Sequence, residues 1–152
     1  MKRIALLSLT VLTMIWVTAC GGASTPTAEA AEAETTEIPI TGTRVDVTLA
    51  DNTIDSSLTT FQVGVPYTFV IVNEGRRAHN FNISTPVSIA GSLGDALSTA
   101  LLVVEQSELG AGASVTVNYT FPESAVGQTL EFACLIRMHY EDGMLLAITV
   151  TS

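Results

Sequence analysis

The feature that most limits this chain is a series of short stretches, from residue 39 onward, in which apolar and polar side chains alternate. In TRVDVTLA the apolar residues Val45, Val47 and Leu49 fall on every second position. That is the repeat of a strand with one buried face. SLTTFQV, AHNFNI, SVTVNYTF, TLEFAC and MLLAITV continue the strand signals, with Val115, Val117, Tyr119 and Phe121 on one face of SVTVNYTF, and VPYTFVIV is a β-branched and aromatic run that stops at a turn. Turn formers stand between the runs, at Asn73-Glu74-Gly75, Gly110-Ala111-Gly112 and Pro122-Glu123-Ser124. Seven or eight strands within residues 39–152 predict an all-β, antiparallel sandwich. Residues 84–104 depart from the pattern. They form a long connection in which DALSTALLVV predicts a short helix opened by Asp95 as its cap.

The N-terminal stretch obeys different rules. Lys2 and Arg3 precede an apolar run at residues 4–17 that ends in small residues. This is a secretory signal pattern, too short for a comfortable membrane span. Val17-Thr18-Ala19-Cys20-Gly21 resembles the bacterial lipobox. The resemblance implies a signal peptide at 1–19 and acyl chains on Cys20, which becomes the mature N-terminus. Each buried methylene contributes about 0.8 kcal/mol, so two or three chains hold a protein at a membrane. Residues 20–38 then read as a lipidated cysteine plus a disordered acidic tether, and residues 39–152 as one domain. An acylated Cys20 leaves Cys134 with no partner for a disulfide. In an exported chain such a thiol points to deep burial or to a metal.

The chain holds 15 acidic and 6 basic residues, a net charge of −9. Without Lys2 and Arg3 the net is −11, and the domain itself carries 11 acidic against 4 basic residues. Nucleic acid and anionic lipid surfaces are excluded as partners by that balance.

Residues 134–144 read CLIRMHYEDGM and place Cys134, His139 and Met144 at five-residue steps. The chain has only two histidines, two cysteines and four methionines. One thiolate, two imidazoles and a weak thioether are the ligands of type 1 copper. The second imidazole has a single source, His79 in RRAHNFNI. Taken singly, each residue has a plain structural reading: Cys134 as a small core residue, Met144 as core filler, His79 as a structural histidine beside an aromatic. Met138 is a rival axial sulfur. It is the grouping that points to a metal.

NEGRRAHNFNI resembles the strand-end His-Asn-Phe segment of the cupredoxins, the blue copper proteins. LGAGASVTVNYTF and TLEFACLIRMHYEDGMLLAITV resemble their C-terminal half, and Cys-x4-His-x4-Met is similar to the spacing in auracyanins and other plastocyanin- and azurin-like proteins. The resemblance spans residues 39–152 and implies a Greek-key β-sandwich. It implies ligation of one copper ion by His79, Cys134, His139 and Met144. It also implies that Asn80 ties the two ligand segments together, with its backbone N–H directed at the Cys134 sulfur.

The sequence departs from the family where close relatives carry Pro-Gly before the second histidine; here Arg137-Met138 stand instead. Losing both residues predicts a looser loop. Three of the domain's four arginines, Arg76, Arg77 and Arg137, lie in the two ligand segments, and a positive rim around His139 is expected to steer an acidic partner. Glu74, Glu141 and Asp142 in the same segments oppose it. The function these features predict is a monomeric, membrane-tethered carrier of single electrons between a donor and an acceptor protein, and not an enzyme. Its place is extracytoplasmic, at a bacterial membrane. The alternative is a copper storage or delivery lipoprotein. Multicopper oxidases and copper nitrite reductases need more histidines, and a binuclear copper site needs a second loop cysteine. A metal-free adhesion module is at odds with a complete ligand set.

Overall fold

A computed structural model of the chain describes Pro39 and residues 41–152; the signal segment, Cys20 and the acidic tether lie outside the described residues. Nine strands form among them: β1 Thr43–Ala50, β2 Thr53–Ser56, β3 Thr60–Gln62, β4 Pro66–Asn73, β5 Phe81–Ser84, β6 Leu102–Val104, β7 Ser114–Thr120, β8 Leu130–Ala133 and β9 Leu145–Thr151. Two short helices, α1 Val87–Ala90 and α2 Leu93–Ser98, lie between β5 and β6. Among the described residues no helix is long and apolar enough to cross a membrane.

The strands make two sheets, ordered β2-β1-β4-β7 and β3-β9-β8-β5-β6, and the chain passes repeatedly from one to the other. The sandwich agrees with expectation; three details correct it. Strand number is nine: β2 follows β1 after only two residues and does not read as a separate strand, and β6 lies within the stretch that reads as a helix. The pairing is mixed, since β1 runs parallel to β4 and β3 parallel to β9. Period-2 alternation marks a strand but says nothing of its neighbour's direction. The helix of the 84–104 connection is also displaced. Ser92 caps α2, its Oγ accepting from the Asp95 N–H at 3.0 Å, and Asp95 lies in the first turn. The Leu102–Val104 run pairs with β5 as a strand.

The facing surfaces bury Val45, Val47 and Leu49 of β1, Phe69 and Ile71 of β4, Phe81 and Ile83 of β5, Phe132 of β8, and Ile148 and Val150 of β9. Phe61 sits among aromatic rings, with centroids 5.1 Å from Tyr67, 4.9 Å from Phe121 and 5.7 Å from Phe132. Burying one such side chain stabilises the fold by about 1.5–3 kcal/mol. The core also positions the candidate ligands. Phe81, two residues after His79, lies 5.0 Å from Phe132, two residues before Cys134. The antiparallel register Asn82↔Ala133 and Ala133↔Leu145 sets the ends of β5, β8 and β9 side by side. His79, Cys134 and Met144 all emerge at that end.

Candidate metal centre

Cys134 directly follows β8, and its N–H donates to the Met144 carbonyl at 3.1 Å. The Met144 N–H donates in turn to the His139 carbonyl at 3.0 Å. The three residues are therefore closed into one hydrogen-bonded loop. The N–H groups of His139 and Tyr140 both donate to the Ile136 carbonyl, at 3.1 and 3.2 Å, and Asp142 N–H donates to Met138 at 3.0 Å. Met138 has φ 72, the only positive value among the non-glycine residues described. It adopts the left-handed conformation that favours glycine. Its N–H donates to the Glu141 carboxylate. The loop is thus internally bonded where loosening was expected, and the cost of the missing glycine is concentrated in one strained residue.

Tyr140 anchors this loop to the rest of the fold. Its hydroxyl donates to Glu131 Oε1 at 2.7 Å and accepts from the Val87 N–H, the first of α1, at 3.1 Å. Val87, Ala90 and Leu93 pack with Tyr140 against Leu135, Ala133 and Ala96, so the helical connection covers one flank of the loop. Burial raises the carboxyl of Glu131 above its ordinary range, with the Tyr140 hydrogen bond opposing.

His79 arrives on the segment after β4. Asn73, fully buried, donates through Nδ2 to the carbonyls of Arg77, Leu109 and Gly110 at 2.8, 2.9 and 3.0 Å, and its Oδ1 accepts from Gly75 N–H at 2.9 Å. His79 N–H donates to the Leu109 carbonyl at 3.0 Å. Asn80 bridges the two segments: its Oδ1 accepts from Leu135 N–H at 2.8 Å and from Asn82 Nδ2 at 3.0 Å. Burial raises the Cys134 thiol above its ordinary range, and the backbone N–H groups of Asn80 and Ile136 oppose that rise.

The donor atoms converge. His79 Nδ1 lies 3.1 Å from His139 Nδ1 and 3.8 Å from Cys134 Sγ, and His139 Nδ1 lies 3.5 Å from that sulfur. His79, Cys134 and His139 are all buried. The circumcentre of a triangle with those sides is about 2.0 Å from each corner, close to the bond length from a transition metal to imidazole nitrogen. Burial lowers the affinity of both imidazoles for protons, His79 further through its neighbour His139 and His139 further through Arg77. Both rings are therefore neutral at neutral pH and have a lone pair to offer. Burial raises the Cys134 thiol, so a metal must displace its proton. Met144 is fully buried beside the Cys134 backbone, whereas Met138 is 59% exposed. This donor set fits a single soft-ligated metal ion of the type 1 copper kind.

Two arginines of the expected rim, Arg76 and Arg77, already have partners. Arg76 N–H and Arg77 N–H donate to Asp51 Oδ1 at 2.7 and 3.3 Å, and Arg77 Nη2 donates to the Asp51 carbonyl and to Asn52 Oδ1 at 2.7 and 2.8 Å. Arg76 also forms an ion pair with Asp51 at 3.3 Å, yet its side chain stays 93% exposed. Arg137 is exposed. Sequence reasoning missed Asp51, Asn73, Glu131 and Tyr140. Of these only Asn73 carried a local signal, as a turn residue, and none announced a partner.

Several solved structures share this architecture. A dithionite-reduced auracyanin from the photosynthetic bacterium Roseiflexus castenholzii superposes with a TM-score of 0.55 at 22% identity, over 75% of this chain and 100% of that one. The fold is that of the cupredoxins. Auracyanin A, a "blue" copper protein from the green thermophilic photosynthetic bacterium Chloroflexus aurantiacus, gives a TM-score of 0.50 at 20% identity over 70% of this chain and 99% of its own. An azurin from the methylotroph Methylomonas sp. strain J gives 0.53 at 13% identity over 72% and 98%. No protein-family model matches the chain, and no curated protein sequence matches it. In this cupredoxin fold the buried His-Cys-His group occupies the end of the sandwich where β5 and β9 begin and β8 finishes.

Proposed function

We propose that this protein is a blue copper electron carrier, its metal held by His79, Cys134, His139 and Met144 and its domain tethered to a membrane through Cys20. The observation that carries the reading is the convergence of two imidazole nitrogens and one thiol within 3.8 Å of one another in a dry setting. When bound, copper supplies a one-electron couple between Cu(II) and Cu(I).

The chain's own residues support such a role by holding still. Asn80 joins the two ligand segments, and the N–H groups at the Cys134 sulfur stabilise its anionic form. The closed hydrogen-bonded loop gives the ligands little freedom to rearrange between oxidation states. His139, at 7% exposure, is the one imidazole with an edge at the surface, because His79 is fully enclosed. It is the port through which an electron enters and leaves. Arg76 and Arg137 on the same segments face solvent and suit an acidic redox partner.

The competing role is copper storage or delivery in the same extracytoplasmic setting. A reversible one-electron wave in protein-film voltammetry, with fast self-exchange between oxidised and reduced protein, supports the carrier. Copper that leaves on reduction, with no reversible wave, supports storage and removes the carrier reading. Metabolic labelling with a fatty acid, lost in Cys20→Ser, tests the anchor.

A further inference from the structure

The turn between β1 and β2 places Asp51 where nothing in the metal-binding motif requires a carboxylate. Asp51 Oδ1 lies 4.0 Å from Nε2 of His79. That nitrogen is buried and has no hydrogen-bond partner among the described residues, a rare condition for a polar atom in a protein interior. The opposite nitrogen, Nδ1, faces Cys134 and His139. A ring that offers Nδ1 to a metal must carry its proton on Nε2, and a buried N–H needs an acceptor.

Gly75 supplies an independent observation. A Cβ built at this position would meet Asp51 Oδ1 at 2.8 Å and His79 Nε2 at 3.0 Å. The carboxylate and the ring thus approach each other over the one backbone position that has no side chain. Asp51 is also held by Arg76 and Arg77, which immediately follow that glycine: both backbone N–H groups donate to Oδ1, the oxygen nearer His79, and Arg76 Nε donates to Oδ2. The gap is built, and 4.0 Å exceeds an ordinary hydrogen bond by only about 1 Å.

The geometry points to Asp51 as the positioning residue of the metal centre: it keeps the His79 proton on Nε2, turns the Nδ1 lone pair toward the centre, and favours the more highly charged oxidation state. This deepens the copper reading and rests on it for the last of these effects only. The first two belong to the copper-free protein. There the Nδ1 atoms of His79 and His139 lie 3.1 Å apart, so one donates to the other. With Asp51 fixing the His79 proton on Nε2, the donor is His139.

Two variants separate the charge from the hydrogen bonds. Asp51→Asn keeps an oxygen for the N–H groups of Arg76 and Arg77 and for His79, but removes the charge; Asp51→Ala removes both. Long-range proton–nitrogen NMR of the whole copper-free chain is expected to show His79 as the Nε2–H tautomer in the native protein and in Asp51→Asn. In Asp51→Ala the Nδ1–H form should gain at least threefold. His79 with its proton on Nδ1 in the native chain, or unmoved from Nε2 in Asp51→Ala, overturns the proposal. Should Asp51→Ala not fold, the Nε2–H proton resonance decides: it moves upfield in Asp51→Asn if a carboxylate was its acceptor and stays in place if not. In the copper-loaded protein, Asp51→Asn should raise the Cu(I)/Cu(II) ratio at fixed potential on the order of tenfold, a positive shift of about 59 mV. An unchanged potential contradicts the electrostatic part. If copper fails to bind, the copper reading falls and the NMR result still judges Asp51.

Discussion

Residues 74–80 bring His79 to the centre on a segment fastened almost wholly from outside, by Leu49, Asp51, Asn73 and Leu109. Residues 134–144 bring Cys134, His139 and Met144 on a loop whose N–H groups return to its own carbonyls. The first arm depends on partners as many as 37 residues away in sequence, such as Gly110 bonded by Asn73. The second is bonded mostly within itself and is moored to the fold through Tyr140 and through Leu135 N–H on Asn80 Oδ1. Cys134 and His139 on one contiguous loop meet His79 on a remotely fastened arm, and the two halves of the site are expected to fail separately.

The largest expected effect is on the first arm. Asn73→Ala strips three carbonyls of a buried donor and should cost about 2–4 kcal/mol by chemical denaturation. Amide exchange should quicken at residues 74–80 while 134–144 keep their protection. Equal loss in both segments would show that the arms are one unit and would break the comparison.

Tyr140→Phe acts on the second arm. Losing the hydroxyl bonds to Glu131 and Val87 should cost about 1–2 kcal/mol and quicken exchange in 134–144 and α1, leaving 74–80 unaffected. A smaller change of opposite sign is expected for Met138→Gly. Relief of a left-handed non-glycine residue should stabilise the protein by about 0.5–1 kcal/mol, and a loss of stability would remove the strain argument.

The mildest effect is one of pH. Burial holds the Glu131 carboxyl above its ordinary value of 4.5, so in that window the folded chain keeps a proton that the unfolded chain releases. The stability this provides is present at low pH and is lost as pH rises through the folded value. Glu131→Gln keeps an acceptor for Tyr140 and should flatten that loss. Melting temperatures of the two proteins across about pH 4 to 8 make the test, and parallel curves would mean Glu131 is ionised in the fold.

The same contrast explains what could be read in the sequence. Cys134, His139 and Met144 were visible because one loop carries all three at a regular spacing, and His79 because no other histidine remained. β1 and β7 were visible as alternating runs of eight and seven residues, and β4 as a β-branched and aromatic run of eight. β2, reading TIDS, carries no apolar run, and β6, reading LVV, closes the apolar stretch that reads as a helix. The parallel pairings had no local sign at all. Arg76 and Arg77 read as free charges because their partner Asp51 is 25 and 26 residues earlier, in a turn of ordinary composition. Ser92 and Asp95 stand three apart, the spacing at which a first-turn residue can be mistaken for the cap.

In the proposed function, two imidazoles and one thiolate form a single constrained copper site. Titration of the copper-free protein with Cu(II), followed by visible absorption and electron paramagnetic resonance, addresses it most directly. An intense blue sulfur-to-copper band with narrow hyperfine splitting, complete at one equivalent and absent in Cys134→Ser, is the predicted result. A colourless protein, or an ordinary tetragonal copper signal that survives in Cys134→Ser, would contradict it.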